Sequence, residues 1–524
     1  MKKRVFAFIL SLTLILCSCG TDVIIDDIDD IDDVTPTPTV HTAAETPPTV
    51  DIVDELPTDD TKEELVVYFA SFDLYDFYKK FSGSFQILYP NIEIIPVLHP
   101  SVNAELDENA VSEANETLYE ELLSGNGPDV IFGAENCFDD IAGAANAGMF
   151  ADLSPFVDED PAFVSEQYLE NFFDVGLIGG KRLMAPASFI LDIPVLHTPR
   201  YGGQADQPDE VLLSDMGNNP ENTFVWIDDY DYSRLFLGSG MPLYDAMERM
   251  SLADNGELEQ LCRDIKALRN TDKKTVAGTT DNGSITVTYD HTDKYFYTYF
   301  LDENFDVIFD SIMNNTSFSI FYAETEYLTY LPPLYLRYNV LKDIPNLSSV
   351  QTQYLTFNEN NTRHYGSPAD IMVINANSDK VHLGAGLITF MLSQFSQERL
   401  AFGAQSGSMG ASSETLYPYT SQIGKYPINR RILESYFELN SRVQDVKLCY
   451  RALYPFVDGP RRDEFASRSV ESYKRFIFTA SCFLPVKKLD ELISAEFDKF
   501  LDWTCTEEQF ISNIDSLIIE QLAA

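Results

Sequence analysis

Two short stretches of the sequence place an aromatic or amide side chain beside a carboxylate. Phe72 is followed by Asp73, and Glu135 is followed by Asn136. Such pairs suit a sugar ligand, whose apolar C–H faces stack on aromatic rings and whose hydroxyls bond to carboxylates and amides. Trp226, one of only two tryptophans, is a further candidate for such stacking. These five residues are therefore the candidate ligand-binding residues.

Each candidate also has a purely structural interpretation. Phe72 and Trp226 could pack in a core. Asp73 could cap the helix that follows it. Glu135 and Asn136 could be ordinary polar residues of a loop. The sequence leaves these alternatives open.

A cysteine near the N-terminus is a candidate for covalent modification. The basic residues 2–4 precede the mostly apolar residues 5–16, which are too few to span a hydrocarbon core of about 30 Å. The segment Leu16-Cys17-Ser18-Cys19 resembles a bacterial lipobox, in which the cysteine is diacylated after cleavage. This resemblance implies a signal peptide over residues 1–18 and a lipid on Cys19. The alternative is an ordinary secretory signal without lipid.

The charge of the chain restricts its partners. The sequence has 83 Asp and Glu against 36 Lys and Arg, which gives a net charge of −47. An acidic surface repels phosphate backbones and anionic headgroups, so we expect no nucleic-acid partner and membrane contact only through the lipid. Part of the charge lies in residues 19–64, where Asp-rich and Pro-Thr-rich runs predict an unfolded, extended tether.

The folded part opens with the pattern of a parallel α/β sheet. Residues 65–70, 92–97 and 129–132 are short apolar runs typical of buried strands, and amphipathic helical stripes separate them. Strand, helix, strand, helix and strand at this spacing predict a parallel arrangement, with ligands beyond the carboxyl ends of the strands. Those ends are residues 70–73 and 133–136, which contain four of the candidate residues.

Regular patterns return towards the C-terminus. Residues 371–374 predict a strand, and Ser378 is the expected N-cap of the helix that follows. Thr504-Cys505-Thr506-Glu507 has the pattern of a capping box that opens the last helix. Between about residues 193 and 366 the pattern is less regular and rich in Tyr. The predicted fold class is therefore α/β at both ends with a mixed insert between them.

Four stretches, in this order and spacing, carry a family resemblance. They are residues 85–95; Leu122-Leu123-Ser124-Gly125-Asn126-Gly127-Pro128-Asp129-Val130-Ile131 followed by residues 147–156; Gly180-Lys181-Arg182-Leu183-Met184-Ala185-Pro186; and residues 374–378 with 385–397. The set is similar to that of the extracellular solute-binding lipoproteins of ABC importers, the family 1 group that includes sugar-binding proteins. Residues from about 200 to 361 match little of the pattern. We expect Pro128 and Asp129 to be structural, as a turn that leads into a strand.

The resemblance implies a type II periplasmic-binding-protein fold, in which two α/β lobes are joined by a hinge and the ligand lies in the cleft between them. Lobe 1 would comprise residues 65–190 and 364–431. Lobe 2 would comprise residues 191–363, and the C-terminal helices, residues 432–524, would belong mainly to lobe 2.

The resemblance also implies a function. We expect a monomer, anchored by lipid to the extracellular face of the cell membrane, that delivers a small solute to the permease subunits of an ABC importer. A sugar or oligosaccharide is the favoured solute. The lobes would close around it, and the permease would recognise the closed form. No catalysis, cofactor or metal is expected. The alternatives are a ligand-binding lipoprotein for sensing without transport and a secreted glycoside hydrolase.

Catalytic and metal-binding motifs are absent from the sequence. It has no P-loop, no Gly-x-Ser-x-Gly elbow and no His-Glu-x-x-His, and its six histidines are isolated. Asp302-x-Asn304-x-Asp306 begins like a calcium loop, but Val307 and Met313 replace the required Gly and Glu. The cysteines after the leader are too scattered for a disulfide framework, although one bridge is possible. They are Cys137, Cys262, Cys449, Cys482 and Cys505.

Overall fold

The structure is a computed structural model that describes the chain in separate blocks. The predicted signal peptide and nearly all of the predicted tether lie outside these blocks. The described residues are 62–102, 107–160, 167–192, 195–201, 210–214, 223–224, 236–237, 243–253, 256–269, 274–280, 283–289, 317–318, 320–322, 347–356, 365–402, 425–435 and 474–523.

A seven-stranded sheet carries the candidate residues. Its strands are β1 (Glu63–Phe69), β2 (Ile92–Leu98), β3 (Val130–Phe132), β4 (Ala185–Asp192), β5 (Tyr365–Ile374), β6 (Lys425–Pro427) and β7 (Ser481–Cys482). Their spatial order is β6-β4-β5-β3-β1-β2, and β7 pairs with β5.

The sheet is mixed, and its directions follow from the chain connections. β1 pairs in parallel with β2 and with β3, because a helix joins each strand to the next along the chain. This confirms the parallel arrangement predicted from residues 65–132. β5 returns from a distant part of the chain and runs antiparallel to both β3 and β4.

Helices cover both faces of this sheet. They are α1 (Phe72–Leu88), α2 (Glu108–Leu123), α3 (Ile141–Asn146), α4 (Ser154–Val157), α5 (Glu170–Phe173), α6 (Gly256–Arg269), α7 (Val381–Leu392), α8 (Gln394–Phe402), α9 (Lys487–Leu501) and α10 (Glu507–Ala523). Short 3-10 turns occur at Pro100–Val102, Ala134–Asn136 and Asp174–Gly176.

Alternating side chains of the strands separate two hydrophobic clusters. In β3, Ile131 belongs to one cluster, whereas Val130 and Phe132 belong to the other. Because successive side chains of a strand point to opposite faces, the two clusters lie on opposite faces of the sheet. The first cluster includes residues of α2, α3, α6, α9 and α10, and the second includes residues of α1, α5 and α7. The described C-terminal helices thus pack on the same sheet as β3.

A second, four-stranded sheet lies between β4 and β5 in the chain. Its strands are Val195–Tyr201, Glu210–Leu212, Ile320–Tyr322 and Leu347–Thr356. The chain leaves the first sheet at the end of β4 and returns at the start of β5. Smaller strand pairs are Leu177–Ile178 with Lys181–Arg182, Tyr244–Asp245 with Met250–Ser251, Lys274–Thr280 with Gly283–Tyr289, and Thr223–Phe224 with Ser317–Phe318. The predicted lobe boundaries stay a prediction, since much of residues 193–364 and 436–473 lies outside the described residues.

Two predicted helix starts differ from the structure. α7 begins after Lys380, so Ser378 lies two residues before the cap position, where its hydroxyl binds the Lys380 N–H instead. The capping box of α10 is formed by Thr506 and Gln509, which exchange hydrogen bonds of 3.2 and 3.0 Å. The predicted pattern that began at Thr504 was therefore wrong by two residues, because two overlapping Thr-x-x-Glu/Gln patterns fit the same turn.

Candidate functional site

The structure describes four of the five predicted ligand-binding residues. Phe72 and Asp73 are the first two residues of α1, directly after β1, and Glu135 and Asn136 lie in the 3-10 turn after β3. Trp226 and the predicted lipidation site Cys19 lie outside the described residues. The carboxyl ends of neighbouring strands thus bring the four described candidates to one edge of the sheet, as predicted.

A glycine allows the ends of β1 and β3 to approach each other closely. Gly133 has a φ of +83°, and a Cβ atom there would lie 2.8 Å from the Ala70 carbonyl carbon. Only glycine fits both this left-handed backbone and this contact. The Ala70 N–H donates to the Phe132 carbonyl at 2.7 Å, which fixes the two chain ends side by side.

Ser71 occupies the N-cap of α1. Its Oγ accepts a hydrogen bond from the Leu74 N–H at 3.3 Å, as N-cap serines do. The interpretation of Asp73 as the cap of this helix is therefore wrong, and the Asp73 carboxylate points to another partner. The Ser71 hydroxyl also donates to Asp370 Oδ1, which connects the helix start to β5.

Lys425 connects Asp73 to Asp370. Its ammonium donates to Asp73 Oδ2 and to Asp370 Oδ1, each at 2.9 Å. Asp73 is 7% exposed and Asp370 is 2% exposed, so both ion pairs are shielded from water. Among the described residues, no donor occupies the second oxygen of Asp73, Oδ1. At the carboxyl edge of the sheet, one buried acceptor thus has an oxygen that no described donor occupies.

Asp370 adopts a backbone conformation that is unfavourable for its residue type. Its φ is +53°, in the left-handed region, which costs about 1–3 kcal/mol for a residue other than glycine. The surroundings compensate for this cost. Ser188 donates to Asp370 Oδ2, and the Glu135 carboxylate accepts the N–H groups of Asp370 and Ile371 at 2.7 and 2.9 Å.

We refer to Ser71, Asp73, Glu135, Ser188, Asp370 and Lys425 as the carboxyl-edge network. Two of its three carboxylates, Asp73 and Asp370, pair with the single ammonium group of Lys425. Sequence analysis identified Asp73 and Glu135 but missed the other four members. The only sequence signal for Asp370 is a polar residue directly before the apolar run of β5, and Lys425 has no distinguishing pattern.

The three carboxylates of the network differ in the direction of their pKa shifts. Burial and the neighbouring Asp370 carboxylate raise the pKa of Asp73, and Lys425 partly opposes this shift. Burial and Asp370 also raise the pKa of Glu135. Burial acts upward on Asp370 as well, but Lys425 and two serine hydroxyls outweigh it, so the pKa of Asp370 is lowered. Asp370 is thus the firmly ionised partner of Lys425, and Asp73 accepts a proton more readily than an ordinary aspartate.

Asn136 belongs to a second polar group beside this network. Its side-chain N–H donates to the Ala70 carbonyl at 3.0 Å. Asn115 contacts the Asn136 carbonyl at 3.4 Å, and its Oδ1 lies 3.0 Å from His99 Nε2. Burial lowers the pKa of His99, which favours the neutral imidazole. Asn136 therefore supports the end of β1 in this structure.

Phe72 is the exposed aromatic residue of the site. Its residue exposure is 56%, and the Lys79 ammonium lies 5.9 Å from its ring centroid. The interpretation of Phe72 as a core residue is therefore wrong. The exposed ring precedes Asp73 in the chain, so the start of α1 offers an apolar surface and, in Asp73 Oδ1, a hydrogen-bond acceptor that no described donor occupies.

The motif with the best family resemblance lies at the opposite edge of the sheet. Asp129 Oδ2 accepts the Val66 N–H at 2.8 Å, and Asp129 Oδ1 accepts the Ser378 hydroxyl at 2.7 Å. Lys380 Nζ lies 3.3 Å from Asp129 Oδ2, and Asn375 donates to the Pro128 carbonyl at 3.2 Å. These bonds confirm the structural interpretation of Pro128 and Asp129. We refer to Asp129, Asn375, Ser378 and Lys380 as the amino-edge cluster.

Three further features bear on the predicted chemistry. Within the described blocks, no group of His, Cys, Asp and Glu could hold a metal ion. Cys137, Cys262, Cys482 and Cys505 are free thiols, and Cys449 lies outside the described residues. No helix of the described part is long and apolar enough to cross a membrane.

Comparison with known proteins shows similarity in structure only. No protein-family model matches the sequence, and no curated protein matches it. The sugar-binding protein MalE from Xanthomonas citri is 12% identical, with a TM-score of 0.50 over 88% of this chain and 98% of that chain. An extracellular solute-binding protein family 1 from Alicyclobacillus acidocaldarius is 10% identical, with a TM-score of 0.48 over 89% of this chain and 100% of that chain. The cyclic alpha-maltosyl-1,6-maltose binding protein from Arthrobacter globiformis is 9% identical, with a TM-score of 0.48 over 88% of this chain and 99% of that chain.

At identities this low, structural similarity is evidence for the fold alone. The comparison with MalE, at a TM-score of 0.50, supplies that evidence. A mixed central sheet with helices on both faces and a second sheet inserted between β4 and β5 agrees with that likeness. The chain therefore has the two-lobed α/β fold of extracellular solute-binding proteins.

Proposed function

We propose that the protein is a lipid-anchored extracellular solute-binding protein that delivers a carbohydrate to an ABC-type importer. The fold and the sugar-binding name of its structural neighbour MalE support the solute class. The lipobox-like segment that ends at Cys19 supports the anchor. The observation that carries the proposal is the buried Asp73 carboxylate at the carboxyl edge of the sheet, whose Oδ1 atom accepts from no described donor, with the exposed Phe72 as the preceding residue.

A sugar suits this arrangement for physical reasons. A sugar hydroxyl can donate to Asp73 Oδ1 and can accept from the remaining N–H of Lys425, whose other two described bonds go to carboxylates. The apolar face of the ring can pack on Phe72. A buried acceptor discriminates strongly against solutes that lack the matching donor, because an unpaired polar group is costly in a dry site.

The carboxyl-edge network favours binding over hydrolysis. A retaining or inverting glycosidase requires one carboxyl group as acid or base and a second as nucleophile or base. Both oxygens of Glu135 accept backbone N–H groups, so Glu135 is occupied as a structural acceptor. Asp73 is then the one candidate carboxylate with an oxygen available to a solute.

A thermal-shift screen of the purified chain tests the solute class. The panel contains maltose, maltotriose, cellobiose, single amino acids and short peptides. A sugar that binds only the folded protein at about 100 times its Kd adds about 2.7 kcal/mol to the free energy of unfolding. We expect a rise in Tm with a neutral sugar that is lost in Asp73→Asn. No shift with any sugar, or a shift with peptides only, would contradict the carbohydrate proposal.

Two further measurements test the hydrolase alternative and the anchor. Incubation of the bound sugar followed by chromatography should recover it unchanged, and product formation would support the hydrolase alternative. We expect Cys19→Ala to be released from cells, whereas Cys17→Ala, the matched control, stays membrane-bound. Retention of both variants would contradict the lipid anchor.

A further inference from the structure

Lys425 reaches the candidate site from a distant part of the sequence. It lies 352 residues after Asp73, at the start of β6, where it pairs with Ile190 of β4. Its side chain is 19% exposed, and the side chains of its partners Asp73 and Asp370 are 9% and 3% exposed. A lysine so placed is held from two different elements, α1 and β5.

Both ion pairs of Lys425 restrict the Asp73 side chain. The Lys425 ammonium is bound at the same time to Asp370 Oδ1, which also accepts the Ser71 hydroxyl, and Ser188 donates to the other oxygen of Asp370. The ammonium is therefore anchored by a partner other than Asp73. The Asp73 carboxylate is held through its Oδ2 atom, and no described donor occupies Oδ1.

We propose that Lys425 is a positioning residue of the solute site, which holds Asp73 through its Oδ2 atom and leaves Oδ1 to accept from a neutral, hydroxyl-bearing solute. This inference rests on the proposed function and adds to it a residue that the sequence did not indicate. Asp73 is the residue that contacts the solute, and Lys425 acts through it.

The charged groups around Asp73 determine whether loss of Lys425 would raise or lower the pKa of Asp73. Asp370 and Asp76 favour its protonation, as does burial, and Lys425 opposes all three. Glu135, with Cys137 beside it, is a further acidic group that faces Lys425. Removal of the ammonium leaves these acidic groups without their shared cation. Asp73 then takes up a proton at a higher pH and no longer offers an ionised acceptor.

The test measures affinity against pH for the full chain with maltotriose, or with whichever neutral oligosaccharide of the screen binds the wild type more tightly. The variants are Lys425→Met and Lys425→Arg. The matched control is Lys380→Met, which removes the half-buried lysine paired with Asp129 at the opposite edge of the sheet. Titration calorimetry gives Kd between about pH 5 and about pH 9, a range in which a perturbed carboxyl group titrates.

The expected result is a displaced pH profile. In Lys425→Met the acid-side loss of affinity should be centred about one pH unit higher than in the wild type, the lower end of the effect of an opposite charge at this distance. At intermediate pH this corresponds to an affinity loss of about tenfold. Lys425→Arg should restore most of the wild-type profile, and Lys380→Met should leave it unchanged. A profile of Lys425→Met that coincides with that of Lys380→Met would overturn the inference.

A second variant keeps the test decisive if Lys425→Met does not fold. Asp370→Asn removes the negative charge that raises the pKa of Asp73 and leaves Lys425 in place. We expect its acid-side loss of affinity to move to lower pH, opposite to Lys425→Met. A shift to higher pH would overturn the inference. If no sugar binds the wild type, the proposed function fails, whereas sugar binding without any displaced profile contradicts the role of Lys425 alone.

Discussion

The two edges of the seven-stranded sheet each carry an aspartate paired with a lysine. At the amino edge, Asp129 lies 3.3 Å from Lys380, and both of its carboxylate oxygens accept further hydrogen bonds. At the carboxyl edge, Asp73 lies 2.9 Å from Lys425 and has one oxygen that no described donor occupies. Only the carboxyl edge contains a residue with a positive φ, Asp370, among the members of the two groups.

This difference indicates different roles for chemically similar pairs. A carboxylate with all of its bonds made is a stable structural element, since nothing is gained when a ligand replaces a partner. Strain and unused acceptors are retained in proteins chiefly where they serve a function. The amino-edge cluster thus stabilises the fold, and the carboxyl-edge network is the better candidate for binding. Substitutions at the two edges should separate stability from affinity.

The largest expected effect is on stability, from Asp370→Ala. This change removes the more deeply buried of the two counter-ions of Lys425 and the acceptor of two serine hydroxyls. We expect the free energy of unfolding to fall by about 3–5 kcal/mol, as for other broken buried pairs. Urea denaturation measures it. Asp370→Asn also removes the charge but keeps a side-chain acceptor and tolerates the left-handed backbone, so it should lose less than Asp370→Ala. A loss below about 1 kcal/mol in Asp370→Ala would contradict a stabilising role of the network.

Asp129→Ala should be the next largest change, and it should affect stability alone. It leaves the Val66 N–H and the Ser378 hydroxyl without their acceptor, which we expect to lower the free energy of unfolding by about 2–3 kcal/mol. Sugar affinity at a temperature where the variant is folded should equal that of the wild type. Weaker binding by the folded variant would mean that the two edges are not independent.

Asp73→Asn should give the converse result. We expect a loss of sugar affinity of at least tenfold, or about 1.4 kcal/mol, because the amide cannot replace an ionised acceptor. The free energy of unfolding should change less than in Asp370→Ala, since Lys425 retains Asp370, its more deeply buried partner. Calorimetry and urea denaturation of the same sample check both. An unchanged affinity with a large loss of stability would make Asp73 a structural residue like Asp129.

The raised pKa of Asp73 predicts the direction in which its contribution to stability changes with pH. The pKa of Asp73 is raised in the folded protein. At a pH between its ordinary and its raised pKa, the folded protein therefore holds a proton that the unfolded chain has released. This contribution is present at acid pH and is lost as the pH rises through the raised pKa. We expect the difference in stability between wild type and Asp73→Asn to move in favour of the variant as the pH rises. A difference that does not change with pH would contradict the raised pKa.

Phe72→Ala should have the smallest effect on stability, below about 0.5 kcal/mol, because the ring is exposed. Its effect on sugar affinity should be larger, about three- to tenfold, if the ring stacks on the sugar. Phe77→Ala, on the buried face of the same helix, is the matched control and should destabilise the protein without a specific change in affinity. Equal binding by wild type and Phe72→Ala would remove Phe72 from the site.

Local sequence patterns were sufficient to predict the first three strands of the seven-stranded sheet. The strands at residues 65–70, 92–97 and 129–132 were predicted within about two residues, because buried strands have continuous apolar runs between turn residues. The order of the strands placed Phe72, Asp73, Glu135 and Asn136 at one edge. Exact helix starts were less predictable, as the cap of α10 shows, because neighbouring residues offered equivalent caps.

The partners of the candidate residues could not be predicted in the same way. The hydrogen bonds that join the members of the carboxyl-edge network span 55 to 352 residues of sequence, and no local pattern encodes such contacts. The sequence alone also left open whether Asp73 capped a helix. The structure assigns that position to Ser71, because the geometry of the turn brings Ser71 Oγ to the Leu74 N–H.

The sequence by itself determined the class of the fold, the edge of the sheet at which polar residues gather and the lipobox-like leader, since each depends on residue type and spacing along the chain. The tertiary structure alone decided which of the candidate carboxylates keeps an oxygen that no described donor occupies. That property depends on burial and on the distance to a single ammonium group, and both arise only when segments from three parts of the chain pack together.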